Sequence, residues 1–377
     1  MADQGLDAVF LTHLPDIFYF SGNFQPSYLY IHCDYKPMHF VGCACLNKKD
    51  SNDLADEIQM SSLQDIPHTI QRRHSRLPKN CGLAFDVVPM KEFLFYEALL
   101  GQTRFTDCST LLNECKKIKS DWEINQMKKA ARLSEKTFDY IFQHIRAGIS
   151  EMEFCGEYEA YARELGHSGT LMARHYRSDL YPFQLLSGES GGLPGAVDTP
   201  SCGTGTSIAN PSGAGPKKIK QNEPILIDFG TILNGYHMDE TRMFAIGSMP
   251  EKAMDMSNLA IEILYTILAE MKPGVVMETL YEKSVQMAGR YGYADQFLGL
   301  PGIKSSFIGH SIGVELVEAP FIAKGKKEEL EQNMVFSIEP KFIFKNEFAA
   351  GVESVVQLTD NGANLLSTTP HKVFVVS

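Results

Sequence analysis

Over the first 115 positions, short apolar runs that fit buried strands alternate with stretches of helical periodicity. Residues 7–12 (DAVFLT), 36–46 (KPMHFVGCACL) and 81–86 (CGLAFD) predict buried strands. Pro15-Asp16 opens a helical turn leading toward FYFSGN. Residues 50–60 (DSNDLADEIQM) predict a helix opening on Asp50 or Ser51, and residues 91–101 (KEFLFYEALLG) a helix that Gly101 stops. This alternation is an α/β pattern.

The polar, basic stretch NECKKIKS at 113–120 marks a boundary, dividing a domain 1–118 from a domain 119–377. Immediately after it, Ser120 and Glu123 form a capping box. Ile124, Met127, Ala131, Ser134, Phe138, Ile141 and Ile145 then fall at three-and-four spacing, the mark of a long amphipathic helix. A second helix is expected over about 151–165. Residues 187–222 are rich in Gly, Ser and Pro and predict a long irregular segment. EPILIDFG (223–230) predicts a buried strand, and Asn234-Gly235 a tight hairpin behind it. Two helices follow, one ending before Pro273-Gly274 and one stopped by Gly292.

Five residues of the last 150 or so are of the kind that hold metal: Asp228, Asp239, His310, Glu339 and Glu353. The hairpin places Asp228 and Asp239 roughly across from one another, and His237, Asp239 and Thr241 share one face by the strand period of two. Taken alone, that pair reads equally as two satisfied carboxylates flanking a turn, and a lone histidine is more often packed than ligating. His310 nevertheless sits between Gly309 and Ser311, where backbone can approach a ligand closely. Glu339 ends one apolar strand and Glu353 lies inside another, and a glutamate interrupting a buried strand demands a partner. Four carboxylates cannot converge without cations to neutralise them. Convergence of all five implies two divalent metal ions.

Composition narrows the setting. With 377 residues, 44% hydrophobic and 21% charged, the chain has the make-up of a globular protein of two domains, or one large one. A net charge of −11 argues against nucleic acid and against an anionic membrane surface as partners. No apolar run approaches the length of a membrane span, and the acidic N-terminus does not read as a secretory signal, so the cytoplasm is the expected compartment. Eight cysteines without a CxxC pair read as buried structural thiols; Cys43 and Cys45 would share one strand face.

The order Asp228, Asp239 eleven on, GHSIG around His310, SIEP around Glu339 and Glu353 before VVQLT resembles the pita-bread metallopeptidases, the superfamily of methionine aminopeptidase, prolidase, Xaa-Pro aminopeptidase and creatinase. GLDAVFLTHLPDIFYFSG and KIKSDWEINQMKKAA resemble the start and the domain junction of its prolidase/creatinase branch. The resemblance implies an α+β chain: a small α/β N-terminal domain and a pseudo-symmetric pita-bread domain with helices outside and metals inside. It implies that Asp228 chelates one metal, that Asp239 and Glu353 bridge both, and that His310 and Glu339 complete the second. Glu339 would serve as the catalytic proton acceptor. Mn, Co, Fe or Zn suits such oxygen-rich donors with one imidazole. The substrate would be a small peptide, with Xaa-Pro dipeptides the default, and the protein a homodimer.

Three positions depart from that branch. Members usually carry histidine where this chain has Gly195 and Val317, and prolidase-like members often carry arginine where it has Gly351. Neither glycine nor valine can donate a side-chain hydrogen bond, and losing one oxyanion donor costs a factor of about 10² to 10³ in rate. Gly195 and Val317 are thus altered substrate-binding positions. His237 is the nearest substitute for catalysis and substrate binding, with Arg174 and His175 behind it; Tyr236 and Arg242 are expected to support the metal strand. Altered chemistry on a small non-peptide molecule (a C–N hydrolase or a lyase) and a catalytically weak binding homologue are the alternatives to a peptidase.

Overall fold

The computed structural model describes residues 1–23, 25–42, 54–174, 183–194 and 199–377. They form two compact units, Met1–Lys116 with Arg174–Ser178, and Lys117–Ala173 with Asp179–Ser377.

In the first unit, chain order gives β1 (Ala8–Leu11), α1 (Leu14–Ser21), β2 (Ser27–His32), β3 (Met38–Gly42), β4 (Asp56–Met60), α2 (Asp65–His74), β5 (Asn80–Leu83), α3 (Met90–Leu100), β6 (Arg104–Asp107) and α4 (Ser109–Lys117). The six strands make one mixed sheet in the order β4-β3-β2-β1-β5-β6. One expectation changes here. Asp56–Met60 is a strand, not the end of a helix: it pairs in parallel with Met38–Gly42, and Ile58 and Met60 pack on the core at the strand period of two. Positions 50–53, with Cys43 and Cys45, lie outside the described residues. Within NECKKIKS, helix α4 continues through Lys117.

The second unit contains α5 (Asp121–His144), α6 (Glu151–Glu164), β7 (Phe183–Ser187), β8 (Ile225–Leu233), β9 (Tyr236–Ile246), α7 (Glu251–Glu270), α8 (Met277–Arg290), β10 (Phe307–Ser311), β11 (Glu318–Ala323), β12 (Val335–Ile338), β13 (Lys341–Phe344), β14 (Phe348–Gly351), β15 (Ser354–Thr359), β16 (Gly362–Leu365) and β17 (Phe374–Val376). Capping boxes open both α5 (Ser120, Glu123) and α6 (Ser150, Glu153). The apolar face of α5 read from the sequence is buried along its length. Phe138, Ile141, Phe154 and Tyr158 of α5 and α6 pack on Phe183, Ile227 and Phe229 of β7 and β8. Leu259, Ile263, Leu264 and Leu280 of α7 and α8 pack with Phe336, Ile338 and Val356 of β12 and β15. Two helix pairs thus cover two groups of strands, β17-β9-β8-β7 and β11-β10-β12-β15-β16, and β13 and β14 form a further pair. This is the α+β, pita-bread layout expected from the sequence.

Three local features set up the site. Asn234 and Gly235 both take positive φ (52° and 81°), so the β8–β9 hairpin turns in two residues and its register is fixed. The strand period turns Asp228 away from Ile227 and Phe229, which face the α5–α6 core. An isolated antiparallel bridge between Thr241 and Glu353 ties β9 to the break between β14 and β15. The irregular segment after β7 is pinned at both ends by Glu151 of α6, which accepts hydrogen bonds from the amides of Ser187 (2.8 Å) and Gly215 (3.2 Å). No helix among the described residues is long and apolar enough to cross a membrane. Of the described cysteines, Cys81, Cys108, Cys155 and Cys202 are buried, whereas Cys33 and Cys115 are exposed.

Candidate metal centre

The five residues singled out in the sequence converge within the second unit. Asp228 comes from β8 and Asp239 from β9, although not directly opposite one another: Asp228 pairs with Thr241, and Asp239 with Gly230. The carboxylates are therefore diagonal neighbours on one face. His310 comes from β10. Glu339 follows β12, and Glu353 sits in the break between β14 and β15 rather than inside a strand. Gly309 permits the closeness of β10 and β12, since a Cβ there would lie 2.5 Å from the carbonyl oxygen of Ser337.

His310 is buried and its Nδ1 donates to the Ser311 carbonyl at 3.0 Å, so Nε2 carries the lone pair. That nitrogen faces three carboxylate oxygens: Asp239 Oδ2 at 3.9 Å, Glu339 Oε1 at 3.8 Å and Glu353 Oε1 at 3.9 Å. Burial lowers the histidine pKa, so the ring is neutral. A neutral lone pair aimed at carboxylate lone pairs is repulsive unless something positive lies among them. Donor atoms of Asp239, His310 and Glu353 all fall within 4.8 Å of one another, which suits a cation bound at roughly 2.0–2.2 Å.

Sequence reasoning missed a sixth residue. Lys341, the first residue of β13, is buried, and its Nζ donates to Asp228 Oδ2 (2.9 Å), Glu339 Oε2 (2.9 Å) and Glu353 Oε2 (2.8 Å). The available signal was a lysine in an apolar run two positions beyond Glu339, in SIEPKFIF.

Electrostatics follows this division. Burial raises the Asp239 carboxyl well above the usual range, and the charges of Glu353 and Asp228 push it further. Burial also raises Asp228, against the pull of Lys341. Glu339 is pushed up to about 8 by burial, again against Lys341. For Glu353 burial acts upward, but the Lys341 ammonium outweighs it and holds the carboxyl low, helped by hydrogen bonds from Ser337 (3.0 Å) and Thr241 (3.0 Å). Lys341 stays protonated, since the carboxylates around it outweigh the effect of burial. One ammonium does not balance four acids, and Asp239, which it does not touch, is left most in need of a further cation.

The other expected residues divide. Arg242 supports the metal strand: its guanidinium donates to the carbonyls of Glu353 (2.6 Å), Thr241 (2.9 Å) and Thr369 (2.6 Å). Tyr236 donates to Glu123 at 3.3 Å. His237, expected to serve catalysis and substrate binding, is held by backbone in this structure. Although it shares the Asp239 face, its Nε2 accepts the Met172 amide (3.0 Å) and its Nδ1 donates to the Gly313 carbonyl (3.0 Å), so both ring nitrogens hold backbone. Arg174 belongs to the first unit, where its guanidinium binds Asp16 and Asp86. Val317 is half-buried in the turn before β11. Gly195 and His175 lie outside the described residues.

Fold and donor set together define a metal-dependent hydrolase of the pita-bread class. The chain belongs to metallopeptidase family M24, whose sequence profile matches residues 125–360, and the creatinase/prolidase N-terminal domain profile matches residues 1–118. It is 22% identical over 389 residues to an Xaa-Pro dipeptidase of Pyrococcus furiosus, covering 99% of this chain and 97% of that one. The X-Pro aminopeptidase of Thermotoga maritima superposes with a TM-score of 0.83 at 23% identity, covering 99% and 98% of the two chains. An Xaa-Pro dipeptidase of Bacillus anthracis superposes with a TM-score of 0.84 at 20% identity, covering 100% and 96%.

Proposed function

We propose that this protein hydrolyses an amide bond in short peptides, with Xaa-Pro substrates as the first class to test, using a divalent cation held by Asp239, His310, Glu339 and Glu353. The observation that carries the reading is the His310 Nε2 lone pair facing three carboxylate oxygens at 3.8–3.9 Å. A divalent cation supplies Lewis-acid activation of water and of the scissile carbonyl. Glu339 moves the proton. Its Oε2 is fixed by Lys341, which leaves Oε1 to take a proton from the attacking water and return it to the leaving amine. Burial raises this carboxyl to about 8 in the metal-free chain, and the charge of a bound cation would lower it from there.

The substrate side carries a second reading. Val317 and Gly351 supply no side-chain donor to a developing oxyanion, which favours a small non-peptide amide or related C–N bond over a proline peptide. The protein loaded in turn with Mn, Co and Zn is assayed against an Xaa-Pro dipeptide panel, general dipeptides and N-acyl small amides, with chelator controls. Chelator-sensitive cleavage of Xaa-Pro dipeptides supports the first reading, and cleavage confined to non-peptide amides supports the second. No turnover on any substrate with any metal removes both and leaves a binding homologue.

A further inference from the structure

We propose that the ε-ammonium of Lys341 stands where a second metal ion would sit, so that the centre pairs one exchangeable divalent cation with one tethered organic cation. The inference deepens the metal-dependent reading above and rests on it.

The two glutamates carry the argument, because each divides its oxygens between two positions. Glu339 turns Oε2 to Lys341 Nζ (2.9 Å) and Oε1 toward His310 Nε2 (3.8 Å). Glu353 does the same, with Oε2 on Lys341 (2.8 Å) and Oε1 toward His310 (3.9 Å). Carboxylates that split their oxygens in this way serve two positive centres. One centre is the ammonium, completed by Asp228 at 2.9 Å; the other is the open position, completed by Asp239 and His310. An ammonium has three N–H donors. Here they meet three different carboxylates, so Lys341 is saturated where it lies.

The backbone is shaped for the lysine. Lys341 and Gly351 are register partners across β13 and β14, and a Cβ at 351 would lie 2.6 Å from the Lys341 Cγ. A metal entering the Asp228 corner must displace a buried ammonium from three carboxylates or share them with a like charge a few ångströms away, and both are unfavourable. A single divalent cation at the other position, with Lys341, leaves the four carboxylates only one positive charge short of neutrality. A tethered ammonium also differs chemically from a metal: it steadies negative charge and donates hydrogen bonds, but takes up no water as a ligand.

The test is metal stoichiometry. Purified protein is stripped, dialysed against excess Mn, and counted by plasma mass spectrometry and by Mn electron paramagnetic resonance. The expected result is one Mn per chain with an uncoupled spectrum, rising to two exchange-coupled Mn in Lys341→Ala. Two coupled Mn in the wild-type chain would overturn the proposal, as would a single Mn in a folded Lys341→Ala. No Mn, Co or Zn taken up by either protein would instead remove the underlying metal reading. If the variant does not fold, anomalous scattering from wild-type crystals soaked in Mn decides: one peak beside His310 supports the proposal, and a second beside Asp228 overturns it.

Discussion

Lys341 and Gly351 face one another across the β13–β14 ladder, and the glycine's missing side chain is the space through which the lysine stem reaches the acidic cluster. A Cβ on residue 351 would stand 2.6 Å from Lys341 Cγ and 3.0 Å from the Pro340 carbonyl oxygen. Gly351→Ala should therefore cost about 1–3 kcal/mol through overpacking. Adding Lys341→Gly should recover part of that loss, with a coupling of about 0.5–3 kcal/mol. Urea unfolding of both single variants and the double variant measures it, and strict additivity would show that the two positions do not press on one another.

Asp239 is the carboxylate that Lys341 leaves uncompensated. Removing its charge by Asp239→Asn should leave the metal-free protein at least as stable as wild type. The same change should abolish the stabilisation by Mn, which for wild type at a hundredfold excess over Kd is about 2.7 kcal/mol. Melting curves with and without Mn report both effects. A metal-free variant clearly less stable than metal-free wild type would contradict this assignment of charge.

His237 tests structure against chemistry. Its ring bridges the Met172 amide and the Gly313 carbonyl, so His237→Ala should leave buried backbone groups unpaired and cost about 1–3 kcal/mol for each such group. Turnover per folded molecule should fall far less than the 10²-fold or more that removal of a general acid or base produces, by the order of magnitude expected for such a group. A large loss of kcat at unchanged Tm would return His237 to the reaction.

His167 gives the second unit a pH dependence. Burial, aided by the charge of Arg163, holds its pKa down to about 4, and its Nδ1 accepts the Ile232 amide at 3.1 Å. The unfolded chain binds a proton near pH 6.5, before the folded chain does. Stability should therefore be complete above about 6.5, fall as pH drops to about 4, and lose nothing further from this group below that. The loss is ~2–3 kcal/mol after allowance for partial solvent screening. His167→Asn should flatten that part of the profile. An unchanged slope in the variant would assign the dependence to other groups.

Much of the centre was legible one strand at a time. Asn234-Gly235 announced the hairpin, and a charged residue ending or interrupting an apolar run marked Asp228, Glu339 and Glu353 as residues in need of partners. The same signal stood at Lys341, beside Glu339 in period two, and went unread because a lysine among apolar residues has no motif of its own. His237 shows where that signal stops. Its face was read correctly from the strand period, but what the ring meets depends on residues 172 and 313, far away in sequence. Asp56–Met60 failed as a helix for a similar reason, since pairing with β3 decides what a short, half-polar segment becomes.

The sequence by itself determined the elements that local chemistry encodes: the capped helix from Asp121, the two-residue hairpin, the alternation that turns carboxylates to one face, and the identity of the five residues that converge. Backbone preference and hydrophobic period act over a few residues, so they can be read in order along the chain. Only the tertiary structure decided which oxygen of each glutamate faces His310 and which faces Lys341, because that depends on strands brought together by the Thr241–Glu353 bridge. Coulombic attraction among buried groups acts between neighbours in space, and it placed an ammonium among three of the acids the sequence had reserved for metal.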